Sequence, residues 1–462
     1  MVVPTQKKRI EDDLSSSYST ILKASKYKRI DMGFKTPKGT RDFLPEEMIR
    51  RDYVIQTIKK IFEIYGFSAI DTPAFEDWKL LMKKCGEDIK EQIYRFKDKA
   101  NRELGLRFDP TVPMCRVVAN NPQLPKPFKR YYIGPMWRYE EVKAGRLRQF
   151  YQADVDIVGS DSTEAETESL SCAIDCLRAL GFKDFTVIIN NRKILDGFIE
   201  LIGADRNKDK DIFRAIDKLE KFGEGSVKKE LKNCGLKDKQ IKQILTLIKI
   251  KDVDDAKKLL KGIKIAEEGI KELKEIFEKG KIYKIFEMLK LDFSLARGLD
   301  YYTGPIFEIK VKGYEKYGSI AAGGRYDNLI ELLGGKPTPA TGISLGIERI
   351  VEIMEKEKMF DSMERKTKVF VANPSEDVKD DVLKIVQELR KNTIPADFDI
   401  KNRKLTKQLE YADTVGIPFT IIVGKKELDS GIVKVRDMKA RKEVEVKIDD
   451  LVNYLKMIGK HG

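Results

Sequence analysis

The sequence predicts an α+β protein in several parts: a core of strands and helices, broken by a helical insertion and followed by a separate α/β domain. Three observations predict it. Residues 129–140 and 148–157 both read as strands, and 141–147 between them reads as a loop, which makes a long antiparallel hairpin. From about 193 to 288 strand signals vanish, lysine rises, and apolar residues such as Ile241, Ile244, Leu245 and Ile248 recur at helical spacing. After a polar linker at 357–367, strand and helix patterns alternate over about 100 residues, an ordinary size for one domain.

Residues 1–35 are polar and lack a sustained apolar period, so they read as a flexible arm. Glu11, Asp12 and Asp13 interrupt any amphipathic targeting pattern there. Order begins near Pro37. A helix starts around Pro45, with Glu46 and Glu47 at its positive end, and Val54, Ile58, Ile61, Phe62 and Tyr65 as its buried stripe. Gly66 follows as its C′ residue. A short strand over 68–72 meets Pro73. Beyond the hairpin come a helix over 161–182 and a strand over 185–189. After the insertion, strands fall at 306–311 and 319–322, and 341–349 reads as a strand feeding a helix over 347–356. In the last domain 369–371 and 419–423 are strands, Val378, Val382, Ile385, Val386 and Leu389 stripe one helix, and 408–415 forms another. No internal repeat is visible.

The chain has 462 residues, 41% hydrophobic and 35% charged, enough to bury several cores, which excludes wholesale disorder. There is no apolar run of about 18 residues and no apolar leader at the start, so neither a membrane span nor secretion is expected. Five scattered cysteines fit a reducing, cytoplasmic setting, and Cys172 and Cys176, four residues apart, read as core residues of one helix. The one histidine is His461, so a Ser-His-Asp triad, a Cys-His dyad and a histidine-based zinc site all lack their histidine. Lys and Arg number 89 against 75 Asp and Glu, for a formal net charge of +14. That charge fits a polyanionic partner such as nucleic acid, and equally a lysine-rich proteome with basic solvated faces.

No glycine-rich phosphate loop of either common type is present: the 334–337 segment, Gly-Gly-Lys-Pro, has neither the spacing nor the Ser/Thr. Phosphate would have to be held by arginines. By alternation Arg138 and Glu140 share one face of the first hairpin strand, and Arg148, Gln152, Asp154 and Asp156 one face of the second. Such a face is either the floor of a polar site or a solvated surface with cross-strand salt bridges. Arg297 immediately precedes Gly298, Asp300, Tyr301 and Tyr302 lie between Gly298 and Gly304, and Arg325 follows Gly323 and Gly324. Each reads as a close-approach ligand loop or as a tight turn with a surface arginine. Arg349 falls in the first turn of its helix, where free N–H groups and a guanidinium can converge on an anion. Three arginine-centred segments without a usable histidine point to polyphosphate or adenylate chemistry.

At these residues the sequence resembles the class II aminoacyl-tRNA synthetases, and among them the histidyl-tRNA synthetase family, from about Pro37 to near the C-terminus. The 37–45 segment with the following helix and Pro73 resembles motif 1. Trp137-Arg-Tyr-Glu140, Gly145-Arg146 and 148–152 resemble motif 2, and 342–349 resembles motif 3. Arg297-Gly-Leu-Asp-Tyr-Tyr302 and Ala322-Gly-Gly-Arg-Tyr-Asp327 resemble the two histidine-binding motifs of that one family. Asp109, where bacterial members often have Glu, resembles the archaeal or eukaryotic branch, and Trp137 stands where the family often has Phe.

The resemblance implies a class II catalytic core, an antiparallel sheet flanked by helices, with a helical insertion and a C-terminal α/β anticodon-binding domain. It implies a core over 36–192 and 289–360, an insertion over 193–288 that clamps the acceptor stem, and an anticodon-binding domain over 366–462. The activity implied is ligation of L-histidine to its tRNA through a histidyl-adenylate, by a cytoplasmic homodimer whose interface motif 1 builds. By the resemblance Arg138 holds the ATP α-phosphate and the histidine carboxylate region, Glu140 the adenine, Arg146 the distal phosphates and Arg349 the γ-phosphate. Arg297 stabilises charge at the α-phosphate and, with Arg138, is catalytic. Asp109, Thr111, Gln152 and Asp156 bind the amino group and ring of histidine, Tyr301 and Tyr302 line the imidazole pocket, and Arg297 also belongs to the histidine-binding set. Gly298, Gly323, Gly324 and Arg325 support the two histidine motifs. Mg²⁺ is expected with ATP, without a protein cage. The rival within the same resemblance is a histidine-binding regulatory paralogue, similar to the regulatory subunit of ATP phosphoribosyltransferase, which lacks the anticodon domain. A synthetase-like nucleic-acid-binding module without catalysis would instead show a damaged motif 2 or motif 3, and both motifs stand.

Overall fold

A computed structural model describes residues 33–83, 87–142, 145–296, 301–360 and 366–458. Readings that fall on residues 1–32, Cys85, Arg297, Gly298, Asp300 and His461 lie outside them. Residues 1–42 and 43–462 are two separate units. In the described part of the first, Thr40 closes a turn on Pro37, its N–H and hydroxyl donating to that carbonyl at 3.0 and 2.8 Å.

The second unit begins with the helix Pro45–Ile64, which carries proline at its start and two acids in its first turn. Leu44 N–H donates to the Glu47 carboxylate at 3.0 Å. The helix buries Val54, Ile58 and Phe62 together with Arg51, while Ile61 and Tyr65 pack at the margin of the core. Gly66, at φ +75°, ends it in the left-handed conformation that glycine adopts without strain.

The strands run in chain order Ser68–Ala69 (β1), Phe75–Asp77 (β2), Arg95–Lys97 (β3), Glu103–Leu106 (β4), Phe128–Trp137 (β5), Gln149–Val158 (β6), Phe185–Asn191 (β7), Leu289–Leu291 (β8), Pro305–Val311 (β9), Ala321–Arg325 (β10) and Ala340–Gly346 (β11). Val369–Ala372 (β12), Ala396–Phe398 (β13), Phe419–Ile422 (β14), Ile432–Asp437 (β15) and Lys442–Lys447 (β16) complete the set. An eight-stranded sheet has the order β1-β5-β6-β11-β10-β9-β7-β8. All its pairs are antiparallel except β1 with β5 and β7 with β8 at the two edges. The expected hairpin is β5 and β6, paired from Phe128 with Val158 to Trp137 with Gln149. Its first strand stops at Trp137, so Arg138 and Glu140 are placed by a loop and not by strand alternation. The expected 68–72 strand is only β1, which ends at Ala69, and the 161–182 helix spans Glu164–Ala179.

No strand falls among the described residues between β7 and β8. The chain leaves the sheet after Asn191, passes through helices from Arg192–Leu201 to Lys264–Ile282, and returns at β8 beside β7. One apolar cluster runs without a break from Val155 and Ile189 of the sheet into Ile212, Ile244 and Leu273 of these helices. Cys172 and Cys176 lie fully buried in it. Strand order in the C-terminal sheet is β13-β12-β14-β15-β16, with β12 parallel to both neighbours and the last pairs antiparallel. Val369, Val382, Val386 and Val433 are among the residues of its own core. A third sheet, β2-β4-β3, has three short strands that sequence patterning did not mark.

Candidate active site

Side chains alternate along each strand, so the large sheet has an apolar and a polar face. Ala153, Val155 and Ile157 of β6 enter the core. Gln152, Asp154 and Asp156 face a cleft of about 920 Å³. Their register partners on β11 are Gly346, Ser344 and Gly342, and on β5 Gly134, Tyr132 and Arg130. Glycine keeps this floor open: a Cβ at Gly342 would lie 2.2 Å from Asp156 Oδ1, and one at Gly323 2.1 Å from the Gly342 carbonyl oxygen.

One end of the cleft is acidic. Asp109, just before the helix Thr111–Asn120, accepts the N–H groups of Thr111 and Val112 through Oδ1 at 2.9 Å each. Asp109, Asp154 and Asp156 are all buried. Asp156 pairs with the fully buried Arg130 and accepts the Tyr326 hydroxyl. Tyr301 stands edge-on to Tyr302 at 5.1 Å and to Tyr326 at 5.7 Å, which makes an aromatic wall. Burial pushes the carboxyls of Asp109 and Asp156 above their ordinary range, against the pull of the nearby guanidiniums. Burial drives Asp154 up to about 8, with Arg130 opposing and Asp156 and Asp109 adding to it. Burial likewise raises the Tyr301, Tyr302 and Tyr326 hydroxyls. A dry pocket rich in carboxyls favours a cationic ligand, whose charge restores their ionised form.

The other end is basic. Arg138 is clamped between the Phe108 ring at 4.2 Å and the Phe150 ring at 5.0 Å. Its Nε donates to the Phe108 carbonyl at 3.1 Å and its terminal nitrogen to Gln152 Oε1 at 3.4 Å. Burial lowers its pKa, with Glu140 and Asp109 opposing. Arg146 and Glu140 pair at 2.9 Å. Arg349, in the first turn of the helix Ile347–Lys356, donates to the Gly145 carbonyl at 3.3 Å and to the Ser319 carbonyl. Gly145, at φ +64°, lets the hairpin loop cross this arginine, since a Cβ there would meet the Tyr317 ring at 2.9 Å.

Asp109, Thr111, Arg138, Glu140, Arg146, Gln152, Asp156, Tyr301, Tyr302, Gly323 and Arg349 therefore line one cleft. Arg297 and Gly298 lie outside the described residues. Gly324 has no room for a side chain, with the Pro305 carbonyl 2.6 Å from its would-be Cβ. Arg325 turns away from the cleft: it holds buried Glu166 bidentately at 2.7 and 2.9 Å and also reaches Asp327 at 3.1 Å. Arg148, placed by alternation on the cleft face, precedes its strand and stacks on Tyr139 at 3.9 Å. Asp154 and Ser344 line the cleft although neither was assigned a role from sequence. For Asp154 the signal was its position between Gln152 and Asp156 on one strand face.

The profile of the histidyl-tRNA synthetase family matches residues 39–350, and that of the anticodon binding domain residues 368–458. The chain belongs to the histidyl-tRNA synthetase family. A histidine–tRNA ligase of Pyrococcus abyssi is 42% identical over 420 residues, covering 90% of this chain and 97% of that one. Its counterpart in Pyrococcus furiosus is 41% identical, covering 91% and 98%. The crystal structure of histidyl-tRNA synthetase from Nostoc sp. PCC 7120 superposes with a TM-score of 0.80 at 31% identity, over 92% of this chain and all of that one. An ATP phosphoribosyltransferase regulatory subunit/histidyl-tRNA synthetase from Bacillus halodurans C shares the fold, at 20% identity and a TM-score of 0.72. The anticodon-domain match speaks against the regulatory alternative, for which that domain is missing. This synthetase is an aminoacyl-tRNA ligase that uses ATP to charge tRNA with histidine. Among the described residues no helix is long and apolar enough to cross a membrane.

Proposed function

We propose that histidine occupies the acidic end of the cleft and ATP the basic end, so that the amino-acid carboxylate meets the α-phosphate beside Arg138. The observation that carries this reading is the placement of Asp109 and Asp156 at one end of a single cleft whose other end holds Arg138, Arg146 and Arg349. Asp109, Thr111 and Gln152 receive the amino group, and Asp156 with Tyr301 and Tyr302 receives the imidazole. Arg138 grips the α-phosphate, Arg146 the distal phosphates and Arg349 the γ-phosphate. Glu140 contacts adenine; Glu140 and Arg146 pair with each other, and the nucleotide takes over both partners.

The carboxylate oxygen attacks the α-phosphorus, the bond to the bridging oxygen breaks, and pyrophosphate leaves. Negative charge grows on the α-phosphoryl oxygens. Guanidiniums already fixed there need no reorganisation, and removing one such donor typically costs on the order of 100- to 1000-fold in rate. Arg297 is assigned to the same charge. No protein nucleophile is required. A ribose hydroxyl of the tRNA 3′ end then attacks the adenylate carbonyl and AMP departs.

Mg²⁺ neutralises phosphate charge when bound. The carboxylates at the basic end fit an ion that arrives with the nucleotide, because Glu140 is paired with Arg146 and Glu348 with Arg51. Phosphate oxygens and water would be its main ligands. The division of labour follows the chain: 36–192 and 289–360 form the catalytic core, 193–288 grips the acceptor stem, and 366–462 reads the anticodon. The enzyme works in the cytoplasm as a homodimer. Exposed apolar side chains at Leu44, Tyr53, Ile64 and Phe75 around motif 1 support that assembly.

The test is ATP–pyrophosphate exchange with each of the twenty amino acids offered separately. Exchange that depends on histidine alone is the expected result, and its loss in Arg297→Ala with an unchanged fold places that residue in the chemistry. Exchange driven by another amino acid, or histidine binding without exchange, would overturn the reading.

A further inference from the structure

On the cleft floor one chain of hydrogen bonds crosses two strands. Ser344 Oγ of β11 donates to Asp154 Oδ1 of β6 at 2.7 Å. Gln152 Nε2 donates to the same Ser344 Oγ at 2.5 Å. Gln152 Oε1 accepts from the Arg138 guanidinium at 3.4 Å. A hydroxyl carries one proton. Because Asp154 takes it, Ser344 can meet Gln152 only as an acceptor. That fixes the amide with its NH₂ toward Ser344 and its oxygen toward Arg138. The opposite amide orientation would set two donors, NH₂ and guanidinium, against each other.

We propose that Asp154 is a positioning residue for histidine binding: through Ser344 it sets the orientation of the Gln152 amide between the amino-acid end and the phosphate end of the cleft. The inference rests on the assignment of Gln152 as a histidine ligand. Asp154 acts at one remove, through groups that line the same cleft. Nothing in the relay requires Asp154 to be ionised, since a carbonyl-type oxygen accepts the Ser344 proton in either state. Asparagine keeps that acceptor and alanine removes it, so the two substitutions separate the relay from the charge.

The experiment measures histidine KM and kcat by ATP–pyrophosphate exchange, with histidine Kd by calorimetry, for Asp154→Ala, Asp154→Asn, Ser344→Ala, the Asp154→Ala/Ser344→Ala double variant and Gln152→Ala. One hydrogen bond's worth of positioning corresponds to a roughly three- to tenfold rise in histidine KM and Kd for Asp154→Ala and for Ser344→Ala. The double variant is expected to match either single one, since each breaks the same chain. Asp154→Asn should stay within about twofold of the parent. Asparagine as damaging as alanine would mean that charge matters and would overturn the proposal, as would effects of Asp154 and Ser344 that multiply. If Gln152→Ala weakens histidine while Asp154→Ala and Ser344→Ala leave it unchanged, the relay is refuted and the Gln152 assignment stands. If Gln152→Ala itself leaves histidine binding unchanged, the assignment falls and the relay with it. Should Asp154→Ala fail to fold, Ser344→Ala against Asp154→Asn decides the same question.

Discussion

A single methyl group on the cleft floor tests the assignment of Asp156 to the histidine ring. In Gly342→Ala the new Cβ would lie 2.2 Å from Asp156 Oδ1 and 2.6 Å from the Val155 carbonyl oxygen. The carbonyl belongs to β6, which is laddered to β11 on both sides of this point, so relieving that contact strains the strand pair. The carboxylate, at the end of a side chain, must move as well, by about 1 Å to reach ordinary contact, and a misplacement of that size in a binding constellation can cost roughly 100-fold. Overpacking adds about 1–3 kcal/mol of destabilisation. Gly346→Ala is the matched control on the same strand face: its Cβ would meet only the Ile320 carbonyl at 3.7 Å and Arg349 Cδ at 3.9 Å. Gly346 is also the N-cap of the helix Ile347–Lys356, so alanine there lowers stability slightly without touching the acidic end. In histidine-dependent exchange, Gly342→Ala should lose about 100-fold in kcat/KM for histidine, mostly in KM, with ATP KM little changed. Gly346→Ala should keep its histidine KM. A Gly342→Ala enzyme with parental histidine KM, or one that loses ATP and histidine binding equally, would refute the placement of Asp156.

The folded state holds a proton on Asp154 up to about pH 8, whereas the unfolded chain releases it near the ordinary value of 3.8. Stability therefore falls as pH rises through that window, with buried Asp109, Asp156 and Glu166 contributing in the same direction. Unfolding midpoints from pH 5 to pH 8 should decline, and Asp154→Asn should flatten the decline; an unchanged slope would remove Asp154 from it. Glu166→Ala leaves the Arg325 guanidinium buried without its bidentate partner, which costs on the order of 3–5 kcal/mol. Its thermal midpoint should drop sharply while the remaining folded enzyme keeps its histidine KM, because Arg325 faces away from the cleft. Deleting residues 366–462, whose apolar core is its own, should cripple tRNA charging more than adenylate formation; equal loss of both would make the tail a structural element. Sedimentation should find a dimer, and a monomer at working concentration would remove the assembly.

What could be read from sequence was decided by how much period each segment carries. The hairpin was legible because β5 and β6 have ten residues each, enough for alternation to declare itself. β2, β3 and β4 have three or four residues, with Glu, Lys and Gly among them, too short to show a period of two. In β15 and β16 valine alternates with Lys, Arg and Glu, and only one face is buried; low hydrophobicity hid strands whose alternation was present. At the site, alternation placed Gln152 and Asp156 correctly and failed for Arg148, which lies one residue before its strand. The direction of Arg325 was not legible, because its partner Glu166 stands 159 residues away in sequence. The glycines before it mark a close approach, but they leave open what approaches.

The same alternation that turns Gln152, Asp154 and Asp156 toward the cleft sends Ala153, Val155 and Ile157 into the apolar core, and this ties the site to the core. A one-residue slip of β6 against β5 and β11 would exchange the two sets, driving carboxylates into the apolar cluster and branched side chains into the cleft. Burying Asp154 and Asp156 on one strand face, with Asp109 beside the same cleft, is costly, and each of them is pushed toward its neutral form by that burial. The opposite face offsets the cost with a fully packed layer that includes Phe62, Leu170, Ile174 and Leu177. Register and site geometry are then one constraint. A substitution that thins the apolar layer, Val155→Ala for instance, removes about 2–4 kcal/mol by cavity formation and leaves the register in place. A substitution that crowds the polar face, as at Gly342, displaces a ligand-binding carboxylate in addition to its overpacking cost. Loss of histidine affinity should therefore accompany changes on the polar face and be absent from those that only thin the apolar one.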